Sequence, residues 1–77
     1  MNATKTPATD RPKALDTLIA IVDLVIPHRY DRVPTLGEIA RTVGVASRSL
    51  RIPDLDERIS VENAATLAVA KRLNVIG

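Results

Sequence analysis

Residues 35–50 read TLGEIARTVGVASRSL, and the prediction of the fold starts from the spacing of these residues. Thr35 and Glu38 have the spacing of a capping box, in which the Thr hydroxyl accepts from the third helical amide and the Glu carboxylate accepts from the Thr amide. A short helix is therefore predicted to begin after Thr35 and to run through Val43. Gly44 follows at a point where a left-handed residue suits the end of a helix.

A second short helix is predicted from Arg48 to Ile52, where Pro53 ends it because the residue before a proline disfavours helical geometry. Two short helices that cross steeply leave room for only a small residue where they meet, and Ala40 has that place. The tight turn is assigned to Gly44, which tolerates positive φ. These spacings are typical of a helix-turn-helix. The predicted motif core consists of Ile39, Ala40, Val43, Gly44, Val45 and Leu50.

The flanking segments complete a small all-α domain of four helices, with no β-hairpin wing expected. A first helix is predicted from Arg11 to Ile26, with Asp10 as its cap and Pro27 as its stop. A last, alanine-rich helix is predicted from Val61 to Leu73, with Ser60 as its cap after an acidic connector. The first helix repeats apolar residues at the i, i+3, i+4, i+7 spacing of a buried stripe: Leu15, Leu18, Ile19, Val22, Val25 and Ile26.

Composition limits the class of protein. The chain has 77 residues, 45% of them hydrophobic, with a net charge of +2, no cysteine and one histidine. Residues 1–10 are predicted to be a flexible N-terminal arm, and residues 11–77 a helix-turn-helix domain. A zinc finger cannot be built from one histidine without cysteine, and no metal or other cofactor is expected. No stretch is long and apolar enough to span a bilayer, so a cytoplasmic protein is expected, with no membrane partner.

Catalysis is not expected either. The sequence has no nucleophile–base pair, no paired acid and base, and no glycine-rich phosphate loop. The single His28 lies in a predicted loop with no second catalytic side chain beside it. We therefore expect a protein that is not an enzyme and has no small-molecule substrate.

Two parts of the motif resemble known DNA-binding families. Residues 34–40 (PTLGEIA), followed by Val43-Gly44-Val45, resemble the DNA-binding domain of LexA-type repressors. Residues 35–51 also resemble the Cro and phage-repressor class and the LacI class. The resemblance implies a sequence-specific double-stranded DNA-binding protein, such as a small transcriptional repressor or a Cro- or excisionase-like regulator. Because so short a recognition helix buries little surface on DNA, a homodimer, or cooperative monomers on repeated sites, is also expected. The apolar first helix and the alanine-rich last helix are the candidate dimer surfaces.

The motif register predicts which residues contact DNA. The second helix of the pair would enter the major groove, whose base edges differ for each base pair. The predicted base contacts are Ser47, Arg48, Ser49 and Arg51, with Arg48 as the bidentate guanine reader. The predicted phosphate contacts are Thr35, Leu36, Gly37, Arg29, Arg32 and Arg41. Charge placement agrees, since residues 28–51 carry a net charge of +3 and residues 53–63 a net charge of −3.

Two alternatives stay open at this point. In a second register, the helix of residues 61–73 rather than residues 46–52 would enter the groove and bring Lys71 and Arg72 near DNA. The chain could also be a protein-interaction module, such as an antirepressor, antitoxin or adaptor, that uses its helical surface and the acidic connector. Reversal of the charges at Arg48 and Arg51 would leave such a function intact.

Overall fold

The computed structural model describes residues 5–76 of the chain, with side chains from residue 13 onward. It contains three α-helices and one 3₁₀ turn: α1 (Lys5–Arg29), α2 (Leu36–Ser47), the 3₁₀ turn (Arg48–Leu50) and α3 (Leu55–Arg72). The predicted all-α class is confirmed, and residues 5–76 contain no strand. The predicted count of four helices is not confirmed, because the second short helix is reduced to the 3₁₀ turn.

The core is one aliphatic cluster formed where the three helices meet. Burial of apolar side chains supplies most of the stability of so small a domain. The stripe predicted for the first helix is confirmed, since Leu18, Val22 and Ile26 are buried and its other three members are half-buried. The buried apolar residues are Leu18, Val22 and Ile26 from α1, Ile39 and Val43 from α2, and Val61, Ala65, Val69 and Ala70 from α3.

α1 begins earlier than the sequence predicts. It begins at Lys5, so residues 5–10, which were assigned to the N-terminal arm, form its first turns. Asp10 therefore lies inside the helix and is not its cap. The other four residues of the predicted arm, 1–4, lie outside the described residues.

α1 also continues past Pro27 and ends at Arg29. A proline removes one helical hydrogen bond and crowds the carbonyl four residues earlier. The last turn nevertheless closes, because the Tyr30 amide donates to the Ile26 carbonyl at 3.0 Å. Ile26 is buried and Tyr30 packs against the core, so hydrophobic contacts hold the turn that the proline weakens.

The capping box at the start of α2 is confirmed. The Thr35 hydroxyl oxygen accepts from the Glu38 amide at 3.2 Å, and Glu38 Oε1 accepts from the Thr35 amide at 2.9 Å. Both bonds satisfy amides that have no partner inside the helix. The start of α2 is therefore set by residues only three positions apart.

The predicted turn at Gly44 is wrong. α2 continues through Gly44 to Ser47, and neither of the two glycines described in detail has a positive φ. The left-handed residue is Arg51, with φ 54°, two residues before Pro53. The helix is longer because its last turn buries Ser47 completely and packs Ala46 against the core.

Gly44→Ala is expected to raise the free energy of unfolding by about 0.5–1 kcal/mol. Gly44 lies inside α2 with helical geometry, and an added Cβ would meet no heavy atom within 4 Å. Urea denaturation measures the change. Gly37→Ala, also in open space but in the first turn of α2, is the matched comparison and is expected to gain less. A loss of stability for Gly44→Ala would instead indicate a left-handed turn at this position.

α3 begins at Leu55, six residues earlier than predicted, so Ser60 lies inside the helix and is not its cap. The cap is Asp54, whose Oδ1 accepts from the Asp56 amide at 2.9 Å and from the Glu57 amide at 3.5 Å. The segment predicted as an acidic connector is thus the cap and first turns of α3. Carboxylates are favoured there by the helix dipole.

The chain reverses direction after α3. Asn74 is left-handed, with φ 60°, and the Val75 amide donates to the Ala70 carbonyl at 2.8 Å. These are features of a Schellman ending, which folds the following residues back over the helix. Val75 and Ile76 consequently pack against the core and cover the last turns of α3.

Candidate nucleic-acid interface

Three arginines lie on the outer side of α2 and the turn that follows it. Arg41 and Arg48 are seven residues apart, and Arg48 still has helical φ and ψ, so the two side chains share one helix face. Two turns of helix separate them by about 10 Å. Arg51 follows in the left-handed conformation. We call Arg41, Arg48 and Arg51 the arginine surface.

The charges of the arginine surface are not neutralised within the described part of the protein. All three side chains are exposed. None of them has a carboxylate within salt-bridge distance or a side-chain hydrogen bond among the described residues. An exposed guanidinium without a carboxylate partner is available to a phosphate or to a base edge.

Two of the six residues of the predicted motif core face outward. Ile39 and Val43 are fully buried, and Leu50 is half-buried against the core, as predicted. Ala40 is exposed rather than placed at a helix crossing, and Val45 is 53% exposed. The predictions for Ala40 and Val45 are wrong because α2 does not break at residue 44 and so keeps both residues on its outer side.

Small residues line the outer face of α2 beside the arginines. Gly37 and Ala40 are exposed and Gly44 is half-buried, and nothing lies within 4 Å of a Cβ added at either glycine. Since these positions have little or no side chain, a partner can approach the helix backbone closely. The arginines therefore lie beside a strip of surface with almost no side chains, formed by Gly37, Ala40 and Gly44, which we call the low strip.

Ser47, predicted as a base contact, is fully buried. Its hydroxyl contacts the Glu62 carboxylate and lies 3.2 Å from the Gly44 carbonyl. Glu62 Oε2 is also 3.5 Å from Arg58 Nε. In this position Ser47 connects α2 to α3 and does not reach a ligand outside the protein.

The Ser47–Glu62 contact was not predicted from the sequence. The two residues are fifteen positions apart and belong to different helices, so no local spacing connects them. Ser49, another predicted base contact, is exposed, and its hydroxyl donates to the Ala46 carbonyl at 2.7 Å. Of the four predicted base contacts, only Arg48 and Arg51 are exposed with no hydrogen bond from their side chains to other described residues.

Arg32, predicted as a phosphate contact, is bound to Glu38. Two hydrogen bonds of 2.8 Å join Arg32 Nη1 and Nη2 to the two carboxylate oxygens of Glu38. The guanidinium also lies 5.5 Å from the centre of the Tyr30 ring. Hydrogen bonding to Arg32 and to the Thr35 amide lowers the pKa of Glu38 from 4.5 to about 2. Arg32 therefore links the loop between α1 and α2 to the first turn of α2.

The start of α2, where Thr35, Leu36 and Gly37 are predicted to bind a phosphate, is occupied by the Glu38 carboxylate. Thr35, Leu36 and Gly37 are exposed, but the Thr35 amide and hydroxyl are both bonded to Glu38. A phosphate on the first amides of α2 would approach the ionised Glu38 side chain and be repelled by it. Arg29, the last residue of α1, is exposed and stays a candidate phosphate contact.

In the variant Glu38→Gln, the free energy of unfolding is expected to change less between neutral and acid pH than in the wild type. Because the pKa of Glu38 falls from 4.5 to about 2 on folding, its charged form stabilises the protein above pH 4.5, and this contribution is lost as the pH falls towards 2. Glutamine keeps a side-chain acceptor for the Thr35 amide but removes the charge. Denaturation of both proteins at pH 7 and at low pH measures the effect. Asp16→Asn on α1 controls for the loss of one carboxylate, and parallel pH profiles for wild type and Glu38→Gln would contradict the expectation.

α3 is poorly suited to enter a DNA groove. Its cap and first turn carry Asp54, Asp56 and Glu57, which repel phosphate. In its last turn, Arg72 is paired with Asp23 of α1, while Lys71 is exposed. The second register, with residues 61–73 in the groove, therefore lacks one of its two cations.

A groove of about 580 Å³ lies beside the loop between α1 and α2. Three of its four charged side chains are paired, since Asp23 pairs with Arg72 and Arg32 is bound to Glu38 outside the lining. No helix in the described part of the chain is long and apolar enough to cross a membrane. Within residues 13–76, no three side chains of the metal-binding types are grouped.

Known proteins give no family for this chain. No family model matches it, and no curated protein or solved structure matches it significantly. What the protein binds has to be inferred from the charges and shape of its own surface.

Proposed function

We propose that the protein binds double-stranded DNA through the arginine surface, as a small transcriptional repressor or a Cro- or excisionase-like regulator. The observation that supports this proposal is a set of three exposed arginines, two on one face of α2 and its continuation and one directly after the 3₁₀ turn, none paired with a carboxylate among the described residues. DNA affinity is supplied mainly by cations that neutralise phosphates. The low strip of Gly37, Ala40 and Gly44 would let a sugar–phosphate backbone approach α2 closely.

Each arginine has a proposed part in this complex. Arg48 lies between the other two along the chain, and its forked guanidinium fits the O6 and N7 acceptors of guanine. Arg51 follows directly after the short turn that replaces the predicted recognition helix. Arg41 lies two helical turns earlier and would contact a phosphate. Ser47 and Arg32 are not part of the proposed surface, because both are engaged inside the fold.

The distribution of charge would orient the complex. Residues 28–51 carry a net charge of +3, and residues 53–63 carry a net charge of −3. Phosphates are attracted by the first segment and repelled by the second. The start of α3 would accordingly face away from the duplex, while α2 faces it.

Binding of a labelled duplex at increasing salt concentration tests the proposal. On a duplex of random sequence, where all three arginines are expected to neutralise phosphates, the slope of log K against log salt should be about −2.7, so affinity should fall about forty-fold between 50 and 200 mM salt. A duplex of random sequence measures the phosphate contribution, and a selected duplex measures base preference. Failure to bind any duplex at low salt would rule out the proposed function.

A protein-interaction module is a second candidate function. The observation that favours it is the number of large apolar side chains that the described surface exposes. Such side chains are common singly on monomers, but a group of them on one element indicates contact with a partner. They are Leu24, Val33, Leu36, Val45, Leu55, Ile59 and Leu67. If this candidate is right, Arg48→Glu with Arg51→Glu leaves partner binding unchanged.

A further inference from the structure

The outer face of α3 carries an apolar ridge. Leu55, Ile59, Asn63 and Leu67 follow one another at intervals of four residues, so their side chains form one row along the helix. The three apolar members are 60%, 46% and 51% exposed, and Asn63 is exposed as well. We call these four residues the α3 ridge.

The opposite face of α3 packs into the hydrophobic core. Val61, Ala65 and Val69 are buried in the core against α1 and α2. α3 is therefore apolar on two sides, and a helix of that kind is normally covered on both. Within the described structure the ridge side is exposed from Leu55 to Leu67, and only beyond it is Ala70 buried.

Two opposite charges mark the ends of the exposed face. Asp56 lies in the first turn of α3 and Lys71 in the last, and both are exposed. Neither forms an ion pair within the described part of the chain. They are fifteen residues apart, and the midpoint between them falls next to Asn63. The face is thus acidic at one end, basic at the other, and has an amide near its centre.

We propose that a second copy of this chain packs against the α3 ridge, with the two α3 helices antiparallel. A two-fold axis beside Asn63 places Asp56 of each copy opposite Lys71 of its partner, so both ends of the interface gain an ion pair. Ile59 and Leu67 pack between the ion pairs. The Asn63 amide both donates and accepts, so it can bond to the same amide of the other copy. A two-fold interface of this kind uses one self-complementary surface twice.

The charges of Asp56 and Lys71 favour an antiparallel second copy over a parallel copy or a DNA duplex. A parallel pair of α3 helices would put Asp56 against Asp56 and Lys71 against Lys71, which is repulsive. A DNA duplex would meet the carboxylates of the first turns and apolar side chains. The arginine surface lies on α2 and the turn after it, so the proposed dimer does not require DNA binding and leaves that surface free.

Sedimentation equilibrium of the protein without DNA, from about 1 µM to about 1 mM, tests the interface in the range of weak to moderate association. A monomer–dimer equilibrium is expected. Asp56→Lys alone and Lys71→Asp alone should each weaken the dimer by about ten-fold or more, since each replaces two attractive pairs by two repulsive ones. The double variant D56K/K71D should recover the wild-type association, because the reversed charges again face each other.

Lys13→Asp on α1 is the matched control, with the same charge change outside the ridge, and should leave association unchanged. Leu67→Ser tests the apolar part without altering charge and should also weaken the dimer. Circular dichroism checks that each variant is folded. A wild-type protein that stays monomeric at about 1 mM overturns the proposal. So does a dimer that Leu67→Ser leaves intact, or one that the double charge reversal fails to restore. These results are read without DNA, so they are independent of the proposed function.

Discussion

Ile39→Ala is expected to lower the free energy of unfolding by about 2–5 kcal/mol, because it removes a fully buried side chain and leaves a cavity. Ile39 is 0% exposed and lies in the cluster that joins α2 to α1 and α3. A domain of this size is stable by only about 4–12 kcal/mol, so the loss is a large fraction of the total. Chemical denaturation followed by circular dichroism measures it.

Val45→Ala is the matched control for Ile39→Ala. Val45 is 53% exposed, so its truncation should change stability by less than about 0.5 kcal/mol. A second comparison is Ala40→Leu, which the structure tolerates because Ala40 is exposed. A helix-turn-helix corner at Gly44 predicts the opposite for both positions. Equal losses for Ile39→Ala and Val45→Ala would therefore contradict the observed course of α2.

The triple variant R41Q/R48Q/R51Q is expected to bind a duplex of random sequence about 10²–10³ times more weakly at 0.1 M salt, because on such a duplex all three arginines contact phosphates and the release of counterions contributes about that factor. The slope of log K against log salt should fall towards zero at the same time. All three side chains are exposed, so the fold should be unaffected. Fluorescence anisotropy with a labelled duplex measures both quantities.

Single variants separate the contributions of the individual arginines to base preference and to overall affinity. Arg48→Ala should relax base preference, whereas Arg41→Ala should weaken binding to all duplexes alike. Lys13→Gln removes an exposed cation from α1 and is the control for loss of charge alone. If the triple variant binds duplex DNA as tightly as wild type, the arginine surface is not the DNA site.

Local features of the fold could be predicted from the sequence. The capping box of Thr35 and Glu38 depends on groups three residues apart, and the structure has both of its hydrogen bonds. The buried stripe of α1 follows from helical periodicity, and its central residues are buried. In both cases the relevant interactions lie within one or a few turns of the same helix.

The end of α2 could not be predicted in the same way. A glycine costs a helix only about 1 kcal/mol relative to alanine, so Gly44 permits a turn without imposing one. The burial of Ser47 and Ala46 against the rest of the protein favours one more helical turn. That contribution depends on residues of α3 that are fifteen or more positions away, such as Glu62.

The candidate site likewise has some features that local sequence predicts and others that depend on contacts between distant residues. Exposure of Arg48 and Arg51 follows from their place after the apolar residues of the motif, and the structure agrees. The sequence also offered Arg32 and Arg72 as cations for DNA. Both are paired with carboxylates, Glu38 and Asp23, and the second of these partners lies on another helix.

The helical class, the buried stripe of α1 and the start of α2 follow from the amino-acid sequence alone, since capping and periodicity act between neighbours along the chain. The end of α2, the burial of Ser47 and the absence of ion pairs for Arg41, Arg48 and Arg51 among the described residues depend on tertiary packing. Those outcomes depend on which helix faces lie against each other. Packing of α3 on α1 and α2 brings together charged and apolar groups that are far apart in sequence, and it therefore selects the surface that is left for a partner.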